Sequence, residues 1–168
     1  LSYRLSNEGI VANLTTGQFQ TQSEYKNKSK NSDFVSGIES LSGSDHDDIL
    51  VGDAGANDLR GRKGSDLLIG GEGDDFYHFA RGDGQLRIAE FSEDHDVFGV
   101  PDHLETEETG GNDALVFSED ITPDDLNFER KDFNLHIRIV NTTDEIILEN
   151  WFLDRVYQIE RLIFPSGG

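Results

Sequence analysis

The chain contains no cysteine, no methionine, 3 prolines and a single tryptophan among 168 residues. The lack of cysteine excludes disulfides and thiolate metal sites. No run of about 18 apolar residues occurs, so no segment reads as a membrane-spanning helix. Positive charge is scarce, with 14 Lys+Arg against 34 Asp+Glu and a formal net charge of −20. That balance disfavours nucleic acid and anionic lipid, both polyanions, and points toward cations. Apolar residues make up only 35%. The 18 glycines bring that share to the edge of the usual range of about 45–50%, which counts glycine, so the expected core is thin. The length suits one domain or two very small ones. The chain opens on Leu1, with no initiator Met and no charged segment leading into an apolar run. It is therefore expected to be a piece of a larger polypeptide, without a visible N-terminal signal peptide.

What is present is a repeat. Residues 43–78 read in nines give GSDHDDILV, GDAGANDLR, GRKGSDLLI and GGEGDDFYH. Position 1 is Gly43, Gly52, Gly61 and Gly70; position 4 is glycine at Gly55, Gly64 and Gly73. Position 6 is Asp48, Asn57, Asp66 and Asp75, and position 8 is Leu50, Leu59, Leu68 and Tyr77. A degenerate copy, FVSGIESLS, precedes them with Gly37, Glu39 and Leu41 in the matching places. Glycine at positions 1 and 4 permits positive φ and close backbone approach. The last three residues of each nonamer place one large apolar side chain between two variable ones, the pattern of a very short strand. Two nonamers then make one coil of 18 residues, and Leu41, Leu50, Leu59, Leu68 and Tyr77 stack in two inward ladders.

Leucine ladders alone would not order turns this rich in glycine, which loses the most backbone entropy on folding. Carboxylates one coil apart would also lie roughly 4.8 Å from each other and repel. A hard cation relieves the repulsion. Ca²⁺ takes 6–8 oxygen ligands at about 2.3–2.6 Å, backbone carbonyls included.

The nonamers resemble the GGxGxDxUx repeat of the RTX (hemolysin-type calcium-binding) family. Gly70-Gly71-Glu72-Gly73-Asp74-Asp75-Phe76-Tyr77-His78 matches every specified position with Tyr77 as the large apolar residue. Elsewhere Ser44, Asp53 and Arg62 replace the second glycine, His46 the fourth-position glycine, and Asn57 the aspartate. Upstream, Gly9-Ile10-Val11-Ala12-Asn13-Leu14-Thr15-Thr16-Gly17 and Ser36-Gly37-Ile38-Glu39-Ser40-Leu41 resemble the segment that leads into such arrays. Downstream, Phe79-Ala80-Arg81-Gly82-Asp83-Gly84-Gln85, Asp113-Ala114-Leu115-Val116-Phe117, Ile121-Thr122-Pro123-Asp124-Asp125-Leu126, Asn150-Trp151-Phe152 and Gln158-Ile159-Glu160-Arg161-Leu162-Ile163-Phe164 resemble the β-rich segment that follows them. The stretch from Ser92 to Asn112 fits least.

The resemblance implies an all-β protein built on a parallel β-roll with Ca²⁺ in its turns, about two to four ions here. Its ligand pattern puts Ser44, His46 and Asp48 opposite Gly61, Lys63 and Asp66, and Asp53, Gly55 and Asn57 opposite Gly70, Glu72 and Asp75. A weaker site pairs Gly37 and Glu39 with Gly52, Ala54 and Asn57; Gly64 and Asp66 are expected to meet Asp83 or Glu90. The expected organisation is an N-terminal β segment over 1–42, the calcium-binding repeats over 43–90, and an acidic loop with a β-rich cap over 91–168.

Other features have plainer readings. Asp94-His95-Asp96-Val97-Phe98-Gly99 with Glu105 partly fits an EF-hand loop, but Phe98 and Pro101 stand at the wrong places, and a solvated acidic loop is the simpler reading. Lys26, Lys28 and Lys30 alternate, as lysines guarding a strand edge do. Arg81-Gly82-Asp83 reads as a turn rather than an adhesion tripeptide. Leu135, Ile137 and Ile139, a turn over 141–144 and Ile146 to Leu148 read as a hairpin, with Trp151 and Phe152 capping the apolar end of the coil. The five histidines lack metal spacing, and no nucleophile elbow or phosphate loop appears, so no catalytic role is expected.

These readings converge on a non-catalytic, calcium-binding module that folds on Ca²⁺ binding outside the cell. Its implied partners are calcium ions, the rest of a larger secreted or surface protein, and type I secretion machinery. A calcium-dependent carbohydrate-binding module of an adhesin or extracellular enzyme is the alternative.

Overall fold

The computed structural model describes residues 1–27, 33–90 and 111–165. The strands run in chain order as β1 (Ile10–Asn13), β2 (Gln18–Thr21), β3 (Asp33–Phe34), β4 (Ser40–Ser42), β5 (Ile49–Val51), β6 (Asp58–Arg60) and β7 (Gly64–Ile69). They continue as β8 (Phe76–Phe79), β9 (Gly84–Ala89), β10 (Ala114–Phe117), β11 (Leu126–Lys131), β12 (Asn134–Ile139), β13 (Glu145–Leu148) and β14 (Arg161–Ile163). Among the described residues the only α-helix is the five-residue α1 (Gln22–Lys26). The protein is all-β.

From β4 to β10 successive strands alternate between two sheets. One has the order β11-β12-β13-β9-β7-β5-β1-β2-β3, the other β14-β10-β8-β6-β4. The pairs β1–β5, β5–β7, β7–β9 and β9–β13 are parallel in the first sheet, and β4–β6, β6–β8, β8–β10 and β10–β14 in the second. The three-residue strands β4, β5 and β6 fall on positions 7–9 of their nonamers. The first sheet ends in antiparallel strands on both sides, β2 and β3 beyond β1, and β11 and β12 beyond β13.

Register builds two apolar ladders. Leu41, Leu59, Tyr77, Leu115 and Leu162 follow one another across one sheet. Ala12, Leu50, Leu68, Ile88 and Leu148 do so across the other. Leu41, Leu50, Leu59, Leu68 and Tyr77 are all buried. The parallel stacking thus reaches past residues 43–90 on both sides, taking in β1 before the repeats and β10, β13 and β14 after them. Burying each leucine contributes about 1.5–3 kcal/mol.

The glycine columns divide their work. Gly43, Gly52, Gly61 and Gly70 do not have positive φ; at position 4, Gly64 and Gly73 do and Gly55 does not. The first column is needed for space, because the position-6 side chain folds back over it. A Cβ on Gly61 would lie 2.2 Å from Asp66 Oδ2 and 2.7 Å from its Cβ. We predict that Gly61→Ala destabilises the calcium-loaded protein by about 1–3 kcal/mol through overpacking, read as a lower midpoint in a thermal melt. At position 2, Arg62 has φ +83°, as Gly71 does at +99°, whereas Ser44 and Asp53 do not enter this region.

Lys26 ends α1 rather than standing in a strand, so the edge-lysine reading does not hold there. Lys28, Lys30, the EF-hand-like Asp94–Glu105 stretch, His95 and His103 lie outside the described residues. Arg81 of the Arg-Gly-Asp turn makes ion pairs with Asp120 and Asp125. Trp151 is partly buried against the core, and the guanidinium of Arg130 lies 4.3 Å over the Phe152 ring.

Candidate metal centre

Each nonamer turn leads its position-6 side chain inward. Asp48, Asn57, Asp66 and Asp75 are all buried, at 0–2% exposure. Asp66 and Asp75 each accept the backbone N–H of the same position one coil earlier. Asp48 N donates to Asp66 Oδ1 at 2.9 Å, and Asn57 N to Asp75 Oδ1 at 2.8 Å, both across 18 residues. Two relays result, one on each edge of the stack. The first starts at Ile10, whose N–H donates to Asp48 Oδ1 at 2.7 Å.

The second relay runs on past the repeats. Asp75 N donates to Asp113 Oδ1 at 2.7 Å, and Asp113 N to Glu160 Oε2 at 2.8 Å. Asp113 is the next position-6 residue, although 38 residues separate it from Asp75 rather than 18. Its turn shows the same stacking: a Cβ on Gly111 would meet the Gly73 carbonyl oxygen, as one on Gly73 would meet that of Gly55. Sequence reasoning did not single out Asp113 as a ligand because residues 91–110 break the nine-residue phase. The signal that could have found it is Gly111-Asn112-Asp113-Ala114-Leu115, which repeats the glycine, aspartate and leucine spacing of a half nonamer.

The other sequence-expected residues fall as follows. Ser44 and Asp48 share one turn, with Ser44 N donating to Asp48 Oδ2 at 2.7 Å and Ser44 Oγ to Oδ1 at 2.9 Å. The His46 backbone packs against Gly64 in the next coil. Lys63 points outward, 3.8 Å from Asp45. Asp53 N donates to Asn57 Oδ1 at 2.7 Å, and Asp53 Oδ1 accepts from Gly55 N. Gly71 and Gly73, flanking Glu72, stack on the backbone of Asp53 and Gly55. Gly70 lies beneath Asp75 Oδ2. Glu39 is exposed, and its carbonyl oxygen accepts the Asp58 N–H, so its carboxylate does not join the column. Asp58 faces outward beside His78 at 3.0 Å and leaves the inward place to Asn57.

Asp83 and Glu90 part company. Asp83 lies next to Gly64, whose N–H donates to its carbonyl oxygen. Its own Oδ2 accepts from Ala80 N. The β7–β9 register, however, sets Leu86 beside Asp66, so no carboxylate continues that relay. Glu90 stands away from Gly64 and Asp66, against Asp75, Asp113 and Tyr77, where the Tyr77 hydroxyl donates to Glu90 Oε1 at 3.1 Å.

Burial dominates the electrostatics of this column. Burial pushes Asp66 up to about 8, with Asp48, Asp47 and Asp83 adding to the rise. Burial likewise raises Asp75 to about 7 and Asp113 to about 6, and lifts Asp48 and Glu90 above their ordinary values. Asp75 Oδ2, Glu90 Oε2 and Asp113 Oδ2 are buried and have no hydrogen-bond partner. Burying a charge is costly unless it is paired or coordinates a metal. Orphaned buried carboxylate oxygens beside turns that stack backbone on backbone fit a hard, oxygen-seeking cation. The bound ion would supply positive charge between carboxylates of neighbouring coils.

Comparison with known families agrees with this chemistry. The model of the RTX calcium-binding nonapeptide repeat (4 copies) matches residues 36–59, 42–77 and 51–86. That of the haemolysin-type calcium binding protein related domain matches residues 134–167. Among curated proteins none matches the chain. The chain carries RTX calcium-binding nonapeptide repeats, whose ion is Ca²⁺, with a haemolysin-type calcium-binding-related segment behind them.

Proposed function

We propose that the two parallel stacks form a β-roll that folds when Ca²⁺ enters its turns, and that this is the module's task in a larger secreted or surface protein. The observation that carries the reading is the buried position-6 column, Asp48, Asn57, Asp66 and Asp75, with its acids raised by burial. One ion is assigned to Ser44, His46 and Asp48 with Gly61, Lys63 and Asp66. A second is assigned to Asp53, Gly55 and Asn57 with Gly70, Glu72 and Asp75. Lys63 and His46 contribute through backbone oxygen only. Inside a cell, where free Ca²⁺ is low, the column repels itself and the chain stays unfolded, fit to pass a type I export channel. At about 10⁻³ M Ca²⁺, a site with an affinity of about 10⁻⁴ M stabilises the fold by roughly 1.4 kcal/mol. Titration calorimetry read with circular dichroism tests this. Two or more ions bound together with a gain of strand signal are expected; a chain that binds none refutes the reading.

A pH dependence follows. The folded values of Asp66, about 8, and Asp75, about 7, lie above the usual carboxylate range. Between pH 4 and 8 the metal-free folded chain therefore holds more protons than the unfolded chain, and its stability falls as pH rises. In EDTA the chain should therefore show more strand signal near pH 5 than near pH 8. With Ca²⁺ present the order should reverse, because protons compete with the ion for the same oxygens.

A further inference from the structure

The turn that follows β9 departs from the four turns of the nonamers, and the turn after β8 begins with Ala80. Gly43, Gly52, Gly61 and Gly70 stand immediately after β4, β5, β6 and β7; the residue immediately after β9 is Glu90. Where glycine leaves room, Glu90 sends a carboxylate inward, and it is only 2% exposed. The ladder changes at the same level. Tyr77 replaces leucine, and its hydroxyl reaches Glu90 Oε1. The two departures are therefore matched to each other.

Three acids meet there from distant parts of the chain. One oxygen from each of Asp75, Glu90 and Asp113 lies within 4.8 Å of the others. An ion about 2.4 Å from each oxygen spans gaps up to about 4.8 Å. Asp75 and Asp113 are fully buried, and each of the three acids keeps one buried oxygen without a partner. Among the described residues no lysine, arginine or histidine pairs with any of them. Not every column aspartate is in this state. Asp48 takes donors from Ile10 N, Ser44 N and Ser44 Oγ, and neither of its oxygens is orphaned.

We propose that Asp75, Glu90 and Asp113 form a further cation site, with three side-chain carboxylates and a place for one hard divalent ion, Ca²⁺ here. Its distinguishing ligand is the Glu90 side chain, at a place where the repeats have no side chain at all. Three carboxylates with one such ion leave a local charge of −1 instead of −3. The ion ties the repeats to the strands from β10 onward across the 38-residue step between Asp75 and Asp113. The assignment rests on the calcium reading above for the identity of the ion.

The test uses the whole chain. Glu90→Gly restores the residue type of the nonamer turns, and Glu90→Gln keeps the size and an acceptor for Tyr77. In saturating Ca²⁺, calorimetry should count one ion fewer per chain in both variants than in wild type, with strand content retained. Tb³⁺ should luminesce in the wild type when excited through tyrosine, because Tyr77 touches a ligand of the site. Tyr77→Phe should lower that emission without changing the ion count. Equal ion counts in wild type and Glu90→Gly would mean that the three acids only share protons, and would overturn the assignment while leaving the repeat sites standing. If neither Glu90 variant folds, Tb³⁺ emission decides: emission unchanged by Tyr77→Phe overturns the assignment. A wild type that binds no Ca²⁺ overturns the broader reading instead.

Discussion

In excess EDTA near pH 8 the chain is expected to lose its strand signal in far-ultraviolet circular dichroism, and to regain it on addition of millimolar Ca²⁺. The size of the effect comes from what the ion replaces. Asp66 and Asp75 are buried acids raised by that burial to about 8 and about 7. At that pH folding without a cation must either bury charge or bind protons from a dilute pool. The apolar ladders oppose this with few residues per coil, and the glycine turns add entropic cost. Several ions at roughly 1.4 kcal/mol each amount to a large part of an ordinary domain stability of about 5–15 kcal/mol. A native spectrum persisting in EDTA near pH 8 would sink the calcium-driven mechanism.

Asp66→Ala should raise the Ca²⁺ midpoint of folding by about fivefold or more. The substitution removes a proposed ion ligand and also leaves the buried Asp48 N–H without its acceptor. The lost acceptor alone costs about 1–3 kcal/mol. Spread over two coupled ions, about 2 kcal/mol corresponds to roughly a fivefold shift. Asp75→Ala should act similarly, since Asn57 N–H depends on Asp75 Oδ1. Asp66→Asn separates the two effects. It keeps an acceptor for Asp48 N–H and drops the charge, so whatever midpoint shift it retains reports the ion contact. No shift in Asp66→Asn would show that the residue acts as a backbone cap and not as a ligand.

Much of this was legible in the residues. Position 8 of the nonamers named Leu41, Leu50, Leu59, Leu68 and Tyr77 as inward, and all five are buried in two ladders. A repeat is readable because every copy solves the same steric problem with the same residue types. The purpose of the position-1 glycines was not readable. Positive φ and lack of space both select glycine, and only the Asp66 side chain folded over Gly61 distinguishes them.

The end of the repeats was less legible still. Asp113 continues the Asp75 relay, and Leu115 and Ile88 continue the ladders, yet none of them keeps the nine-residue phase. Hydrogen bonding between coils depends on which backbones lie side by side, and a stack tolerates 38 residues between neighbouring strands as readily as 18 when the extra chain leaves from a turn. The preference of Glu90 for Asp75 and Asp113 over Asp66 is of the same kind. The sequence offered both, and the β7–β9 register, which puts Leu86 beside Asp66, decided between them.

The sequence by itself determined the all-β class, the coil period, the inward leucines and the demand for cations, because each is a local preference written once per nonamer. Only the tertiary structure decided how far the stack extends, which acids lie together in the interior and which remain at the surface. Those depend on register between segments distant in the chain, and a one-dimensional pattern carries no term for it.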